Sequence, residues 1–306
     1  MAVPLRRMSN HDLAQTLDTS DEWIFSHTGI RYRYIAAEDE NTSDLAVRAC
    51  QQALARSGKS PDDVDLILLA TGSPDYPGFP SCASIVQDKL GCRHAGAMDL
   101  VAACAGFVYA LETARSFLVS GSSQLVLVVG AEVFSRIVDW TDRSTCVLFG
   151  DGAGAVLVGM DAQLPPDSFR TSLLTSDGSG TLALTSRTAE SPFVHMEGRR
   201  VYNFAIQVMK ALILSILEKN HLSIHDVGWI VPHQANFRII EATAKRLDVP
   251  VEKFYTNIEE YANTSGASIP LALAEMDQKG LLVRGTWVLT IGYGAGLTAG
   301  ANLFRW

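Results

Sequence analysis

A thiol, an imidazole and a carboxamide stand out in this chain because each sits among small residues just after an apolar run. Cys104 lies in Ala103-Cys-Ala-Gly106, His233 in Pro232-His-Gln-Ala-Asn236 and Asn263 in Asn263-Thr-Ser-Gly266. A thiolate is a strong nucleophile, an imidazole moves or donates a proton, and a carboxamide orients or donates a hydrogen bond. Small neighbours let a reacting carbonyl come close. Together the segments read as a Cys-His-Asn catalytic site. The imidazole and carboxamide lie 129 and 159 residues beyond the cysteine, which fits a papain-like hydrolase as well as an acyl transferase. Spacing alone does not choose the reaction. The papain-type Cys-Gly-Ser-Cys-Trp context is absent, and Val101-Ala-Ala-Cys-Ala-Gly-Phe107 stands in its place.

Each residue competes with a plainer explanation. A lone cysteine is usually inert packing, and that is how Cys50, Cys82, Cys92 and Cys146 read. Cys104 differs because it stands where a strand ends and the apolar helix from Gly106 to Ser120 begins. The helix dipole there should lower its pKa and favour the thiolate. His233 opens a loop ahead of a helix from Arg238 to Leu247, whereas His11, His94, His221 and His225 read as structural. Asn263 alone would pass for a helix N-cap. Gly292-Tyr-Gly-Ala-Gly-Leu-Thr298 follows a strand, but only ten residues remain after Gly296, too few for a dinucleotide-binding unit. It reads as backbone brought close to a reacting carbonyl. Phe149-Gly-Asp-Gly-Ala-Gly-Ala155 lacks the lysine of a phosphate-binding loop and reads as a tight turn lining the site.

The elements that must position these residues come in two copies. The run Asp63 to Thr71 is echoed by Asp226 to Gln234. Helical patterns precede each (Leu45 to Ser57; Phe204 to Asn220) and follow each (Ala83 to Leu90; Arg238 to Leu247). Further on, Gly106 to Ser120 with Leu125 to Gly130 corresponds to Ile269 to Lys279 with Val288 to Gly292. A duplicated α/β unit follows, with halves at 1–165 and 166–306. Strands alternating with helices predict largely parallel sheets, whose carboxyl ends gather site residues. Corresponding edges of the halves then bring Cys104 to face His233.

Composition narrows the classes. The chain has 306 residues, 47% hydrophobic and 19% charged, which suits a globular protein, and no unbroken apolar run reaches the ~18 residues of a membrane span. No secretory leader is visible, so the cytoplasm is the expected location. Five cysteines without a Cys-x-x-Cys pair argue against disulfides and zinc. A net charge of −8 disfavours nucleic-acid binding while leaving room for a local basic patch.

The ordered segments Asp18-Thr-Ser-Asp-Glu-Trp-Ile24, Thr28-Gly-Ile-Arg31, Ala102-Ala-Cys-Ala-Gly-Phe107, Phe149-Gly-Asp-Gly-Ala-Gly-Ala155, Val231-Pro-His-Gln-Ala-Asn236, Asn263-Thr-Ser-Gly-Ala-Ser268 and Gly292-Tyr-Gly-Ala-Gly-Leu-Thr298 resemble the β-ketoacyl-acyl-carrier-protein synthase III family of the thiolase superfamily. The resemblance runs from about Asp18 to Trp306. It implies a thiolase-like fold of two duplicated α/β halves, with mixed, mainly parallel sheets layered αβαβα. It also implies decarboxylative condensation of an acyl-CoA primer with malonyl-acyl-carrier protein, which initiates fatty-acid synthesis without a cofactor or metal. Transfer of the same acyl-cysteine to another acceptor in specialised, polyketide-type metabolism is the alternative. A non-catalytic partner subunit is a third.

By this resemblance Cys104, His233 and Asn263 are catalytic, and the backbone amides of Cys104 and Ala295 form the oxyanion hole. Trp23 and Arg143 flank the CoA adenine, and Gly198, Ala235 and Asn236 border the pantetheine. Phe79, Phe149, Tyr202 and Tyr293 shape the acyl pocket, Phe79 by reaching across a homodimer interface. Arg238, Lys245 and Arg246 would receive the acidic carrier protein. Four departures from the family pattern bear on primer and CoA binding: His27 for an arginine, Ala299 for a tryptophan, Tyr202 for a phenylalanine, and a short Ser176 to Glu197 segment. The family also places a glycine-containing strand ahead of the point matching Val3-Pro4-Leu5, so the first sheet is expected to be incomplete.

Overall fold

The computed structural model describes residues 1–160, 168–170 and 172–306; the expected boundary between halves at 165/166 lies outside the described residues. The chain opens with the antiparallel pair β1 (Arg6–Ser9) and β2 (Tyr32–Ile35), joined through α1 (Asn10–Leu13) and α2 (Asp21–Thr28). The first half continues through α3 (Thr42–Ser57), β3 (Leu66–Ala70), α4 (Cys82–Leu90), β4 (Gly96–Leu100), α5 (Gly106–Val119), β5 (Leu125–Glu132), α6 (Arg143–Cys146) and β6 (Gly152–Gly159). The second runs through β7 (Leu173–Ser176), β8 (Leu184–Thr185), β9 (His195–Met196), α7 (Gly198–Lys219), β10 (Val227–Pro232), α8 (Phe237–Leu247), α9 (Ile258–Tyr261), α10 (Ser268–Gln278), β11 (Trp287–Gly294) and β12 (Thr298–Arg305).

Local sequence explains the boundaries. Asn41 and Asp44 form a capping box at the start of α3, and Gly58 ends it in the left-handed region at φ 66°. Between them Leu45, Ala46, Ala49, Cys50 and Leu54 recur at helical spacing and are buried. The run Leu66-Ile-Leu-Leu-Ala70 is buried at every position, as a strand covered on both faces requires. Helix α7 is long and apolar enough, by length and composition, to cross a membrane. Its buried residues Ala205, Ile206, Met209, Leu212, Ile213, Ile216 and Leu217 nevertheless line one face, packed with the strands of the second sheet and with α8.

Two sheets result, ordered β4-β3-β5-β6 and β10-β11-β12-β7. Both are mixed. Strand β3 is parallel to β4 and β5, and β10 to β11, while β6, β12 and β7 add antiparallel edges. Helices α3 and α4 cover the outer face of the first sheet, and α7 and α8 that of the second. Helices α5 and α10 fill the space between, where Phe107, Leu111, Ile269 and Leu273 meet residues of both sheets. The order of layers is αβαβα.

In element order and strand pairing β3, α5, β5 and β6 of the first half correspond to β10, α10, β11 and β12 of the second. The outer edge of β12 carries β7 over four residue pairs. The corresponding edge of β6 carries, among the described residues, only the bridge between Ala2 and Ala153. Beyond that bridge Ala155 to Gly159 border a groove of roughly 860 Å3, which also takes in Leu111, Leu118, Leu273 and Trp306. The groove lies by the carboxyl end of α5, away from Cys104.

Candidate active site

Cys104 occupies a short helical turn, Ala103–Ala105, between β4 and α5. The turn is entered through Ala103 at φ 46°, a left-handed conformation that bends the chain sharply and turns the thiol back over the sheet. The second half repeats this elbow. Ser265–Ala267 forms the same turn ahead of α10, entered through Ser265 at φ 48°. Gly266 stands there in the place of the cysteine. Each elbow packs against a glycine on a central strand of the other half. A Cβ at Gly292 would lie 2.9 Å from Ala105 Cα and 3.2 Å from the Cys104 carbonyl, and one at Gly130 would lie 2.3 Å from the Gly266 carbonyl.

Gly294 lies closest to the chemistry. An added Cβ would sit 2.9 Å from Cys104 Cβ, 3.0 Å from its amide nitrogen and 3.3 Å from Sγ. The close backbone approach expected of this segment is thus present. Thr298 fixes it, its single hydroxyl proton shared between the Ala295 carbonyl at 2.8 Å and the Ala102 carbonyl at 3.2 Å. Being in the first turn of its helix, the Cys104 amide has no intrahelical acceptor and is free to donate to a ligand.

His233 is buried and follows β10, with its amide bonded to the Ile291 carbonyl. Its Nδ1 lies 2.7 Å from Ser268 Oγ, and that hydroxyl accepts the Gln234 N–H at 3.3 Å. Ser268 Oγ keeps its own proton to give to Nδ1, and in that tautomer the ring proton lies on Nε2 as a donor. Burial holds the imidazole down to about 3, so it stays neutral. Asn263 is similarly committed at one end. Its Oδ1 accepts the Ser265 N–H at 2.8 Å, and its own carbonyl accepts the Gly150 N–H at 3.1 Å. The free end is the Nδ2 donor. One stretch, 263–268, thus serves both donors, supplying Asn263 itself and holding the His233 ring through Ser268, and it also reaches the thiol through Ser265 at 3.4 Å from Sγ.

The thiol itself departs from expectation. Burial pushes Cys104 up to about 12, and the bond to Ser265 only partly opposes this. A lowered pKa from the helix dipole was the reading from sequence. It fails because the elbow buries the sulfur, leaving it 6% exposed, in surroundings without a cation.

Other expected residues fall in three places. Phe149 and Tyr293 are buried beside the site: Phe149 bridges to Asn263, and Tyr293 packs edge-on against His233 at 5.2 Å. Tyr202, half-buried in the second turn of α7, packs against the core cluster that holds Tyr293 and Ala299. Near the surface Trp23 is stacked on His27 at 4.5 Å, with Arg143 5.0 Å above the indole. Asn236 caps α8 by accepting from the Arg238 N–H and donates to the His27 carbonyl, tying α8 to α2. Ala235 and Ala295 are half-buried and Gly198 is exposed. Arg238, Lys245 and Arg246 are all exposed on α8. Phe79, 93% exposed, makes no part of the site within its own chain.

Sequence reasoning missed Ser265, Ser268 and Glu132. Glu132 is wholly buried at the end of β5 and accepts from Gly72 N at 3.1 and 3.0 Å, Ser73 Oγ at 2.5 Å, Thr71 Oγ1 at 3.3 Å and Gly266 N at 3.3 Å. The signal was available: a carboxylate closing the run Leu125-Val-Leu-Val-Val-Gly-Ala-Glu132 demands a buried polar partner set. Among the described residues no group of three or more His, Cys, Asp or Glu could hold a metal ion.

Comparison with known proteins points to one family. The 3-oxoacyl-[acyl-carrier-protein] synthase III profile matches residues 98–178, and the C-terminal profile of the same enzymes matches 217–306. The chain is 49% identical to the β-ketoacyl-[acyl-carrier-protein] synthase III of Ehrlichia ruminantium over 99% of its length and 96% of that protein. It is 46% identical to the enzyme of the same name from Clostridium acetobutylicum, with the same coverage. The crystal structure of 3-oxoacyl-[acyl-carrier-protein] synthase III from Aquifex aeolicus superposes with a TM-score of 0.94 at 43% identity, covering 100% of this chain and 97% of that one. With the thiolase fold, the buried cysteine elbow and the two facing donors already in place, the chain belongs to the β-ketoacyl-acyl-carrier-protein synthase III family of condensing acyltransferases.

Proposed function

We propose that the protein starts fatty-acid synthesis by joining an acyl-CoA primer to malonyl-acyl-carrier protein with loss of carbon dioxide, using Cys104, His233 and Asn263. The observation that carries this reading is the pairing of a thiol with two neutral donors, His233 Nε2–H and Asn263 Nδ2–H. Cys104 attacks the primer thioester, and the tetrahedral oxygen is received by the amides of Cys104 and Ala295. CoA leaves and the acyl group stays on sulfur. Malonyl thioester then enters the same space. As carbon dioxide departs, negative charge grows on the thioester oxygen, where the two donors stabilise it. A neutral imidazole suits this step because it donates without giving up its proton. The resulting carbanion attacks the acyl-Cys104 carbonyl and releases a β-ketoacyl product.

Trp23 and Arg143 line the route for the CoA nucleotide, while Gly198, Ala235 and Asn236 border the pantetheine. Phe149, Tyr202 and Tyr293 bound the acyl chain, joined by Phe79 from a second copy in a homodimer. Arg238, Lys245 and Arg246 receive the acidic carrier protein. No cofactor enters these steps, and the use of acyl-CoA and malonyl-carrier protein supports a cytoplasmic location. We take residues 1–165 and 166–306 as the two halves. The names of the relatives support fatty-acid initiation over transfer to another acceptor.

Intact mass after incubation with acetyl-CoA or branched acyl-CoAs should show one acyl group, absent in Cys104→Ala. Adding malonyl-carrier protein should give a β-ketoacyl product. His233→Ala and Asn263→Ala should still acylate but lose decarboxylation by about 10²–10⁴-fold. Acylation without any condensation product, whatever the primer, would refute the proposal.

A further inference from the structure

Asn263 can serve a malonyl thioester only from a fixed place, and its backbone is clasped on both sides by one short segment. The Asn263 N–H donates to the Leu148 carbonyl at 2.9 Å, and the Gly150 N–H donates to the Asn263 carbonyl at 3.1 Å, with Phe149 bridging to Asn263 between them. The clasp lies in the connection between α6 and β6. Arg33, in β2, reaches it from behind. Its Nη2 donates to the Val147 carbonyl at 2.9 Å and its Nη1 to Asn10 Oδ1 at 2.8 Å. Asn10 is buried and itself held, its Nδ2 donating to Asp21 Oδ1 at 2.9 Å and to the Ile30 carbonyl at 2.7 Å. The stem of Arg33 makes a second contact. A Cβ built on Gly150 would lie 3.1 Å from Arg33 Cβ, 3.0 Å from the Tyr261 carbonyl and 3.6 Å from Ala262 Cβ. Gly150 is thus wedged between Arg33 and the residues that lead into Asn263.

An arginine is an unfavourable side chain to seal in at this point. Arg33 is 0% exposed, both its acceptors are neutral and its Nε has no partner. Burying a guanidinium with no carboxylate among its hydrogen-bond partners costs free energy that an apolar residue of similar length would not. What the guanidinium adds is a planar fork that spans two acceptors in fixed directions. Burial lowers it only to about 10, so the fork keeps all its protons at neutral pH.

We propose that Arg33 is a positioning residue for Asn263: it pins Val147 to the buried Asn10 and so sets the depth of the 147–150 clasp from which Asn263 donates to the malonyl thioester. The inference rests on the decarboxylating role assigned to Asn263. Arg33 does not touch the reacting atoms. The Cys104 elbow is held by other groups, Gly292 and Gly294 packed against it and Thr298 bonded to the Ala102 carbonyl. Loss of the fork should therefore reach the second half-reaction and spare the first.

The test is Arg33→Met, which keeps an apolar stem and loses the fork. Acylation of Cys104 by acetyl-CoA, read by rapid-quench intact mass, should stay within about threefold of wild type, while decarboxylation of malonyl-carrier protein falls by about 10²-fold. In an Asn263→Ala background the same substitution should change decarboxylation by less than about threefold, because the donor it positions is gone. Arg33→Lys, whose ammonium can keep one of the two acceptors, should lose only about tenfold in decarboxylation and nothing in acylation. Hydrogen–deuterium exchange of the folded proteins gives a readout without substrate. In Arg33→Met, peptides covering 147–151 and 262–265 should exchange about tenfold faster and those covering 103–107 should not change. If Arg33→Met does not fold, Arg33→Lys decides by the same split and the same peptides. Equal losses in both half-reactions, an equal loss with and without Asn263, or unchanged exchange in 147–151 and 262–265 would reduce Arg33 to a core residue and overturn the proposal. A wild type that never decarboxylates malonyl-carrier protein, with the exchange differences as expected, overturns the condensing reading and leaves the positioning of Asn263 standing.

Discussion

His233 and Glu132 are both sealed from water, and burial moves them in opposite directions because it disfavours the charged form of each. For His233 the folded pKa, about 3, lies below the unfolded value near 6.5. The unfolded chain therefore binds more protons as pH falls, and stability is lost from about pH 6.5 down towards 3. Denaturant titrations at pH 7.5 and 4.5 should show wild type losing about 2 kcal/mol more than His233→Asn over this interval. A second expectation concerns Gly294, where an added methyl would fall 3.0 Å from the Cys104 amide. Gly294→Ala should lower the acylation rate by about 10²-fold through displacement of the oxyanion donors, and cost about 1–3 kcal/mol in stability. Pre-steady-state acylation and thermal unfolding measure the two effects. The three chemical side chains were legible in sequence because each lies in a small-residue context. The state of the thiol was not, since it depends on burial by residues from the other half of the chain. Glu132 was missed for the same reason: its partners Thr71, Ser73 and Gly266 are remote in sequence.

At the scale of elements, the repeat of strand and helix patterns foretold β3, α5 and β5 and their counterparts β10, α10 and β11. Boundaries were less legible. The pattern suggested a helix from Phe204, whereas α7 starts at Gly198, because Gly198-Arg-Arg-Val-Tyr-Asn203 has few apolar residues to reveal its period. The paired elbows were hidden too, since Ser265-Gly-Ala267 lacks the thiol that marks Ala103-Cys-Ala105. Helix α8 carries the clearest prediction at this scale. Arg238 and Lys245 are seven residues apart, two helical turns, and so share a face, with Arg246 beside them. All are exposed while Ile239, Ile240, Thr243 and Ala244 bury the opposite side. Reversing the charge in Arg238→Glu with Lys245→Glu should raise KM for malonyl-carrier protein about tenfold and abolish its salt dependence. Acylation by acyl-CoA alone should not change. Parallel loss of both activities would place the row on the CoA route.

Across the whole molecule, duplication fixes where the site lies. Each half contributes one elbow, and the elbows meet between the sheets, so neither half alone holds both thiol and donors. What duplication does not fix is how the first sheet ends at β4, its outermost strand. Gly96 to Leu100 are exposed or half-buried there, unlike the wholly buried β3 beside them. Asp99 accepts from the amides of Cys82 and Ala83, which brings the start of α4 and the segment before it to this edge. Phe79 is 93% exposed, Val101 81% and Tyr76 55%. Large exposed apolar side chains near an open strand edge are what the proposed homodimer contact would cover. A twofold contact is the closed arrangement in which one such patch covers itself, and a stable one buries about 800 Å² per partner. Phe79 would then leave water and enter the neighbouring copy near its acyl site. Phe79→Asp with Val101→Asp should convert a dimer to a monomer in sedimentation velocity and lower condensation with longer primers more than with acetyl-CoA. Phe79→Ala should keep the dimer but shift primer preference. A wild-type monomer at micromolar concentration, with full activity, would remove the partner's side chain from the pocket and leave primer length to Phe149, Tyr202 and Tyr293.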